Sequence, residues 1–232
     1  MRELLSEEGI ELAGVQTLEK QATGQAYIIV DDQGENSIMI HSGANNAFTP
    51  KQVQAHTDLI KASDFIIAQF ESTLESTVEA FTIAREAGVK TILNPAPALE
   101  NVPEELLKVT DMIIPNETET EILTGIKVTD ETSLKAAADH LHQLGIEAVI
   151  ITIGSKGAFY DVQGRSGIVP AFKVNAVDTT AAGDTFIGAM SSILAKDFSN
   201  LEQAIEYGNK ASSLTVQRFG AQPSIPYKNE LN

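Results

Sequence analysis

Short apolar runs alternate with amphipathic stretches from residue 64 onward, and this alternation sets the expected fold. Residues 64–69, 90–94, 111–115 and 147–153 are compact, β-branched-rich runs of the length expected for buried strands. Between them, residues 74–87 place Leu74, Val78, Phe81, Ile83 and Ala84 at helical spacing. Shorter helical patterns cover 103–108, 117–123 and 134–144. A hairpin-like pair follows near 158–162 and 167–172, and two long helical patterns close the chain at about 181–196 and 200–217.

The first quarter of the chain has a different rhythm. Leu4, Leu5 and Ile10 read as the tail of an amphipathic helix closed by Gly9. Residues 26–31 and 36–41 are strand-like and are joined by a turn at 32–35, which predicts a hairpin. Thr49-Pro50 marks a helix start, with Thr as N-cap and Pro at the first helical position, and the helix should run to about Ala62. Apolar strands alternating with helices imply a mostly parallel sheet with helices on both faces, a three-layer α/β/α body. The hairpin at 26–41 reads as an appendage to that body. No repeat, low-complexity segment or linker divides the chain, so residues 1–232 are expected to form one domain. In such folds ligands bind at the carboxyl ends of the strands, which directs attention to the residues just after each one.

Composition narrows the function classes. The chain has 232 residues, 43% hydrophobic and 21% charged, enough to bury a core without cross-links. Its 32 acidic and 16 basic residues give a formal charge of −16, which argues against nucleic acid and anionic membranes as partners. Cysteine is absent, which removes disulfides, thiol nucleophiles and cysteine-ligated metals, and fits a cytoplasmic protein. No apolar run approaches the roughly 20 residues of a membrane span, and the acidic N-terminus has no signal-peptide core. The four histidines show no metal-ligand spacing, and no His-Glu-x-x-His or nucleophile elbow occurs.

The strongest chemical signal is Asp178-Thr-Thr-Ala-Ala-Gly-Asp-Thr-Phe, with small residues and Gly183 opening an apolar helix. The first N–H groups of a helix lack intrahelical partners and carry the positive end of its dipole, so an anion can approach them where side chains are small. Asp184 at the rim of such a pocket can take a proton from a hydroxyl while the N–H groups balance charge on a transferring phosphoryl group. An isolated Gly-Asp would read instead as a helix cap; the full nine-residue string favours chemistry. Asn116-Glu-Thr-Glu119 follows a strand directly. It is either a capping box or a pair of oxygen ligands for hydrated magnesium, and local sequence leaves both open. Thr152-Ile-Gly-Ser-Lys-Gly157 is a glycine-bearing loop after another strand, where Lys156 can pair with a phosphate. It is neither a Walker P-loop nor a dinucleotide fingerprint, and alone it reads more often as a tight turn into a hairpin, so it counts only in combination with the other strings. Glu71 and Asn94 also follow strands and can contact a polyol, or simply cap loops.

Together these strings resemble the ribokinase-like sugar kinases of the phosphofructokinase-B type. Further strings carry the resemblance: Ala22-Thr-Gly, Gly34-Glu-Asn-Ser, Gly43-Ala-Asn, Asn94-Pro-Ala-Pro-Ala, Pro115-Asn-Glu-Thr-Glu and Gly220-Ala-Gln-Pro-Ser. The resemblance runs from the first residues to Pro226. It implies ATP-dependent phosphorylation of the ribose 5-hydroxyl, with Asp184 as base and Ala181, Ala182 and Gly183 as anion hole. Asn116 would contact the nucleotide phosphates, and Glu119 would act through magnesium and its waters. Thr152, Gly154, Ser155, Lys156 and Gly157 would lie along the ATP phosphates and ribose, with Asn209 near the adenine. Glu71 would bind the sugar. Asp178 with the Thr180 carbonyl, and oxygens of Thr215, Arg218, Gly220 and Ser224, would match a potassium site. The hairpin at 26–41 would be part of a sugar-covering lid that also forms a homodimer contact.

One departure is expected to matter. Members of this family begin with a further segment bearing the first strand of the sheet and a Gly-Gly-Lys-Gly-Ala-Asn sugar motif, and no Gly-Gly occurs here. The resemblance therefore implies an N-terminally shortened kinase. It leaves as alternatives an impaired nucleotide-binding remnant, or a kinase for another sugar or a nucleoside.

Overall fold

The computed structural model describes residues 2–30 and 36–231. The chain starts with α1 (Arg2–Glu7), which Gly9 follows with a φ of 72°. Then β1 (Gln25–Val30) and β2 (Asn36–His41) pair antiparallel, with Gln25 opposite His41, as a two-stranded sheet separate from the main one. The expected turn at 32–35 lies outside the described residues. At the base of this pair the chain crosses itself closely. Gly43 has a φ of 51°, and a Cβ there would sit 2.4 Å from the Ala22 carbonyl oxygen, so only glycine fits.

Two short helices follow, α2 (Pro50–Gln54) and α3 (Thr57–Lys61), where the sequence predicts one. The start is as expected: Pro50 occupies the first turn, and the Thr49 N–H donates to Gln52 Oε1 at 2.9 Å. The break comes from Thr57, whose hydroxyl donates to the Gln54 carbonyl at 2.8 Å and competes with the backbone for that acceptor. His56 leaves helical geometry (φ −117°, ψ 22°) and a new helix begins after it.

The main sheet contains β3 (Phe65–Ala68), β4 (Lys90–Leu93), β5 (Met112–Ile113), β6 (Ala148–Thr152), β7 (Ala158–Val162) and β8 (Arg165–Val169), in that spatial order. The pairs from β3 to β6 are parallel, whereas β7 and β8 are added antiparallel. The intervening helices are α4 (Leu74–Glu86), α5 (Glu104–Lys108), α6 (Glu117–Thr124) and α7 (Glu131–Gln143), with α8 (Ala182–Ile193) and α9 (Leu201–Thr215) after β8.

The central strands β4, β5 and β6 read as apolar runs because both of their faces are buried. Side chains alternate across a strand. Ile92, Met112, Ile114, Ala148 and Ile150 pack with Phe186, Met190, Ala204 and Ile205 of α8 and α9. Their neighbours Leu93, Ile113, Val149 and Ile151 pack on the opposite face with Phe81 of α4, Leu106 of α5 and Leu134 and Leu141 of α7. That is the expected three-layer body.

Three boundaries move for local reasons. The α7 helix begins at Glu131 rather than 134 because Asp130 caps it, its Oδ1 accepting from the Ser133 N–H at 2.8 Å. The last strand begins at Arg165 because Gln163 and Gly164, with φ of 52° and 77°, make a two-residue turn. The predicted strand at 111–115 shortens to two residues, although Asp111 and Ile114 still donate backbone hydrogen bonds to Thr91 and Leu93. Among the described residues, no helix is long and apolar enough to cross a membrane.

Candidate active site

The parallel strands all end at one edge of the sheet, and there the residues singled out in the sequence gather. A cavity of about 1160 Å³ opens beside β3 and the start of α8. Gln69, Glu71 and Asn94 line it from the strand ends, Asp184 from α8, and Asn45 from the Gly43-Ala-Asn string. Asn45 and Asp184, 139 positions apart, thus share one chamber. Asn94 also supports the fold, because its side-chain amide donates to the Ile114 carbonyl at 2.8 Å and ties β4 to the exit of β5.

Asp184 is the third residue of α8 and is exposed to the cavity. The helix start is unusual. Ala181 is its N-cap with a left-handed φ of 59°, which turns the chain sharply into the helix without a side-chain cap. The Ala182 N–H is directed to the Thr179 carbonyl at 3.2 Å. Among the described residues, the N–H groups of Ala181, Gly183 and Asp184 receive no such partner. Gly183 has no positive φ, and a Cβ there would meet nothing within 4 Å. The protein itself therefore does not need glycine at this position. What its bare backbone leaves open is an approach to unpaired N–H donors. One Asp184 oxygen, Oδ1, accepts from Gln69 Nε2 at 3.0 Å; Gln69 was not among the residues the sequence singled out, because its only signal is its place after β3.

Asn116 and Glu119 form a reciprocal pair at the start of α6. Glu119 N–H donates to Asn116 Oδ1 at 2.8 Å, while Asn116 N–H and Nδ2 donate to the two Glu119 oxygens at 2.8 and 2.9 Å. The capping box is thus real. Glu119 is only 8% exposed, and burial pushes its carboxyl above the usual range, against the opposing hydrogen bond from the Asn116 backbone. Asn116 also bridges to Thr152 at the end of β6, so these two strand exits lie side by side.

In the loop after β6, Gly154, Ser155 and Lys156 form an exposed helical turn. Gly157 is required by the fold itself: its φ is 110°, and a Cβ would lie 2.1 Å from the Val169 carbonyl oxygen. Asn209 is likewise committed, since its side-chain amide donates to the carbonyls of Val169 and Pro170 at 3.1 and 3.2 Å. That contact anchors the segment lining a second cavity, of about 510 Å³, between residues 168–172 and the start of α9.

The residues matched to a cation site come together only in part through direct contacts. Asp178 accepts from the Thr180 N–H through Oδ1 and from the Gly220 N–H through Oδ2, both at 2.9 Å, and so links two loops 42 residues apart. Hydrogen bonds from Thr180 and Gly220 hold its carboxyl below the usual range. Thr215 and Ser224 are fully buried nearby in sequence, whereas Arg218 turns to an ion pair with Glu230. Among the described residues the Thr180 carbonyl accepts no backbone hydrogen bond, which leaves it available to a cation.

A layered sheet with this strand-end chamber beside this helix start marks a candidate active site, and the comparison with known families gives its class. Residues 1–228 match the pfkB family carbohydrate kinase model, and the chain belongs to that family, a family of phosphotransferases. Within it, the similarity is to ribokinases. The chain is 51% identical over 210 residues to the ribokinase of Staphylococcus aureus, covering 90% of this chain and 69% of that protein. It is 50% identical over 224 residues to the bifunctional ribokinase/ribose-5-phosphate isomerase A of Fructilactobacillus sanfranciscensis, covering 97% of this chain and 41% of that one. The structure of Arabidopsis thaliana ribokinase complexed with ribose and ATP superposes with a TM-score of 0.89 at 30% identity, covering 96% of this chain and 72% of the other. The chain therefore spans less than half of one of these relatives and about seven-tenths of the other two.

Proposed function

We propose that residues 1–232 form a ribokinase-type kinase domain that transfers the γ-phosphoryl group of ATP to the 5-hydroxyl of D-ribose. The observation that carries this reading is that Asp184 shares one chamber with polar strand-end residues, and sits at the third position of a helix whose Gly183 and Asp184 N–H groups are unpaired among the described residues. The names of the relatives, and the ribose and ATP bound by the Arabidopsis protein, support the choice of substrates. A deoxyribokinase of Salmonella typhi is 34% identical over 97% of the chain, which makes deoxyribose the competing sugar to test.

In the proposed mechanism, ribose occupies the chamber with Glu71 as a hydrogen-bonding partner. Asp184 takes the proton of the 5-hydroxyl as that oxygen bonds to the γ-phosphorus and the bond to the ADP oxygen breaks. The start of α8, at Ala181, Ala182 and Gly183, balances the negative charge on the transferring group. Gly183 is best placed for this because its N–H is unpaired and its Cα is bare. Asn116, Thr152 and the loop through Gly154, Ser155, Lys156 and Gly157 face the nucleotide phosphates. Asn209 supports the adenine end by holding residues 169 and 170 rather than by direct contact.

The oxygen donors suit the two metals proposed. Both Glu119 oxygens already accept hydrogen bonds, so magnesium would be held through its waters beside Asn116, supplying charge to neutralise the phosphates. Potassium would be held by Asp178, the Thr180 carbonyl and oxygens of Thr215, Arg218, Gly220 and Ser224, ordering the loop that enters α8. The β1–β2 hairpin is proposed as the lid over the sugar and as a homodimer contact.

Coupled ADP release with ribose, deoxyribose and fructose tests the proposal. Ribose should support the highest kcat/KM, and Asp184→Asn should lower kcat by about 10²–10⁴ with ATP affinity nearly intact. Full turnover in that variant would remove Asp184 from the mechanism.

A further inference from the structure

The side chain of Gln69 reaches from the exit of β3 to the third residue of α8, 115 positions away, and donates to one oxygen of Asp184 at 3.0 Å. A carboxylate only accepts hydrogen bonds, so the glutamine must present its NH₂ and not its carbonyl. Among the described residues the other Asp184 oxygen, Oδ2, accepts none. The two oxygens are thus made unequal by a single contact. From this we infer that Gln69 is a positioning residue: it pins Oδ1 and presents Oδ2 to the hydroxyl that is to be deprotonated. The inference rests on Asp184 being the base.

Two features favour this role over a chance surface contact. The carboxylate torsion of aspartate is soft, so an exposed Asp184 would sample many orientations without a partner. Gln69 is held from both sides: the preceding Ala68 carbonyl accepts from the Asn94 N–H at 2.9 Å, and the following Phe70 N–H donates to the Ala96 carbonyl at 2.8 Å. Its amide therefore projects from a backbone fixed on the rigid sheet. The chemistry also selects an amide. A glutamate of the same shape would set a second carboxylate against the base, and an amide holds the base without competing for the proton.

The test joins kinetics to a direct reading of the contact. In the ¹⁵N-glutamine-labelled chain, the side-chain amide resonance that disappears in Gln69→Leu is that of Gln69. It should move upfield in Asp184→Asn, where a charged acceptor becomes neutral. An unmoved resonance would show that no contact exists and would overturn the inference, whatever the turnover. In ribose-dependent ADP release, Gln69→Leu and Gln69→Glu should each lower kcat roughly 10- to 100-fold, with KM for ATP and ribose within about twofold. In an Asp184→Asn background, Gln69→Leu should cost nothing more, because there is no base left to orient. Unchanged kcat in Gln69→Leu, or an equal loss in both backgrounds, would assign Gln69 a merely structural part. Wild-type turnover in Asp184→Asn would instead refute the base itself, so the two failures are distinguishable.

Discussion

Asp178 and Glu119 are both acidic, both hydrogen-bonded to backbone N–H groups, and shifted in opposite directions. Asp178 gains donors from Thr180 and Gly220, which favour its charged form. Glu119 loses water, which disfavours its charged form more than the Asn116 hydrogen bond restores. The signs carry over to stability. For Asp178 the folded state binds its proton more weakly than the unfolded state. Its stabilisation is present above the ordinary value of 3.8 and is lost as pH falls through 3.8 toward the folded value. Glu119 binds its proton more tightly when folded, so stability decreases as pH rises through 4.5 toward the raised folded value. In urea titrations between pH 3 and 6, Asp178→Asn should flatten the loss of stability at the acid end, and Glu119→Gln should remove the opposite slope just above pH 4.5. An unchanged acid limb in Asp178→Asn would refute the assignment. The sequence shows these residues as candidates, but the direction of each shift depends on burial and on donors 42 residues away, which no local string contains.

At the scale of elements, the crossing of α8 and α9 is set by a glycine. A Cβ on Gly208 would approach the Phe186 ring at 2.8 Å and its carbonyl oxygen at 2.9 Å. Phe186 belongs to the buried cluster under the sheet and has little room to move, since it is 3% exposed. Gly208→Ala should therefore destabilise the protein by about 1–3 kcal/mol, despite the better helix propensity of alanine. Chemical denaturation checks this, and a stabilised variant would show that the helices separate freely. Because Asp184 lies one turn or less from Phe186 on the same helix, the variant should also lower activity. The same scale explains where sequence reading of the elements succeeded. The apolar runs of β4 and β6 identify themselves because both faces are buried. The break between α2 and α3 does not, because it depends on one threonine hydroxyl choosing a carbonyl over solvent.

For the whole molecule, charge matters most. With a formal net charge of −16, self-repulsion opposes the compact state, and salt screens it. Raising ionic strength from about 0.01 to about 0.15 M shortens the Debye length from roughly 30 to 8 Å. If screening returns about 1 kcal/mol, Tm should rise about 2–4 °C. A fall in Tm would mean that local pairs, such as Lys90 with Asp111 and Glu147, outweigh the global repulsion. Alternation of strand and helix, the layered class and the family strings around Asp184 were all legible in the chain itself, since each depends on neighbours within a few residues. The rest emerged only once the chain was folded. Gly157 serves the fold whereas Gly183 leaves a donor bare, Asn209 holds its own chain, and Gln69 meets Asp184. These are contacts between distant segments, set by how two faces of one sheet are covered, and no local pattern encodes a distance across that edge.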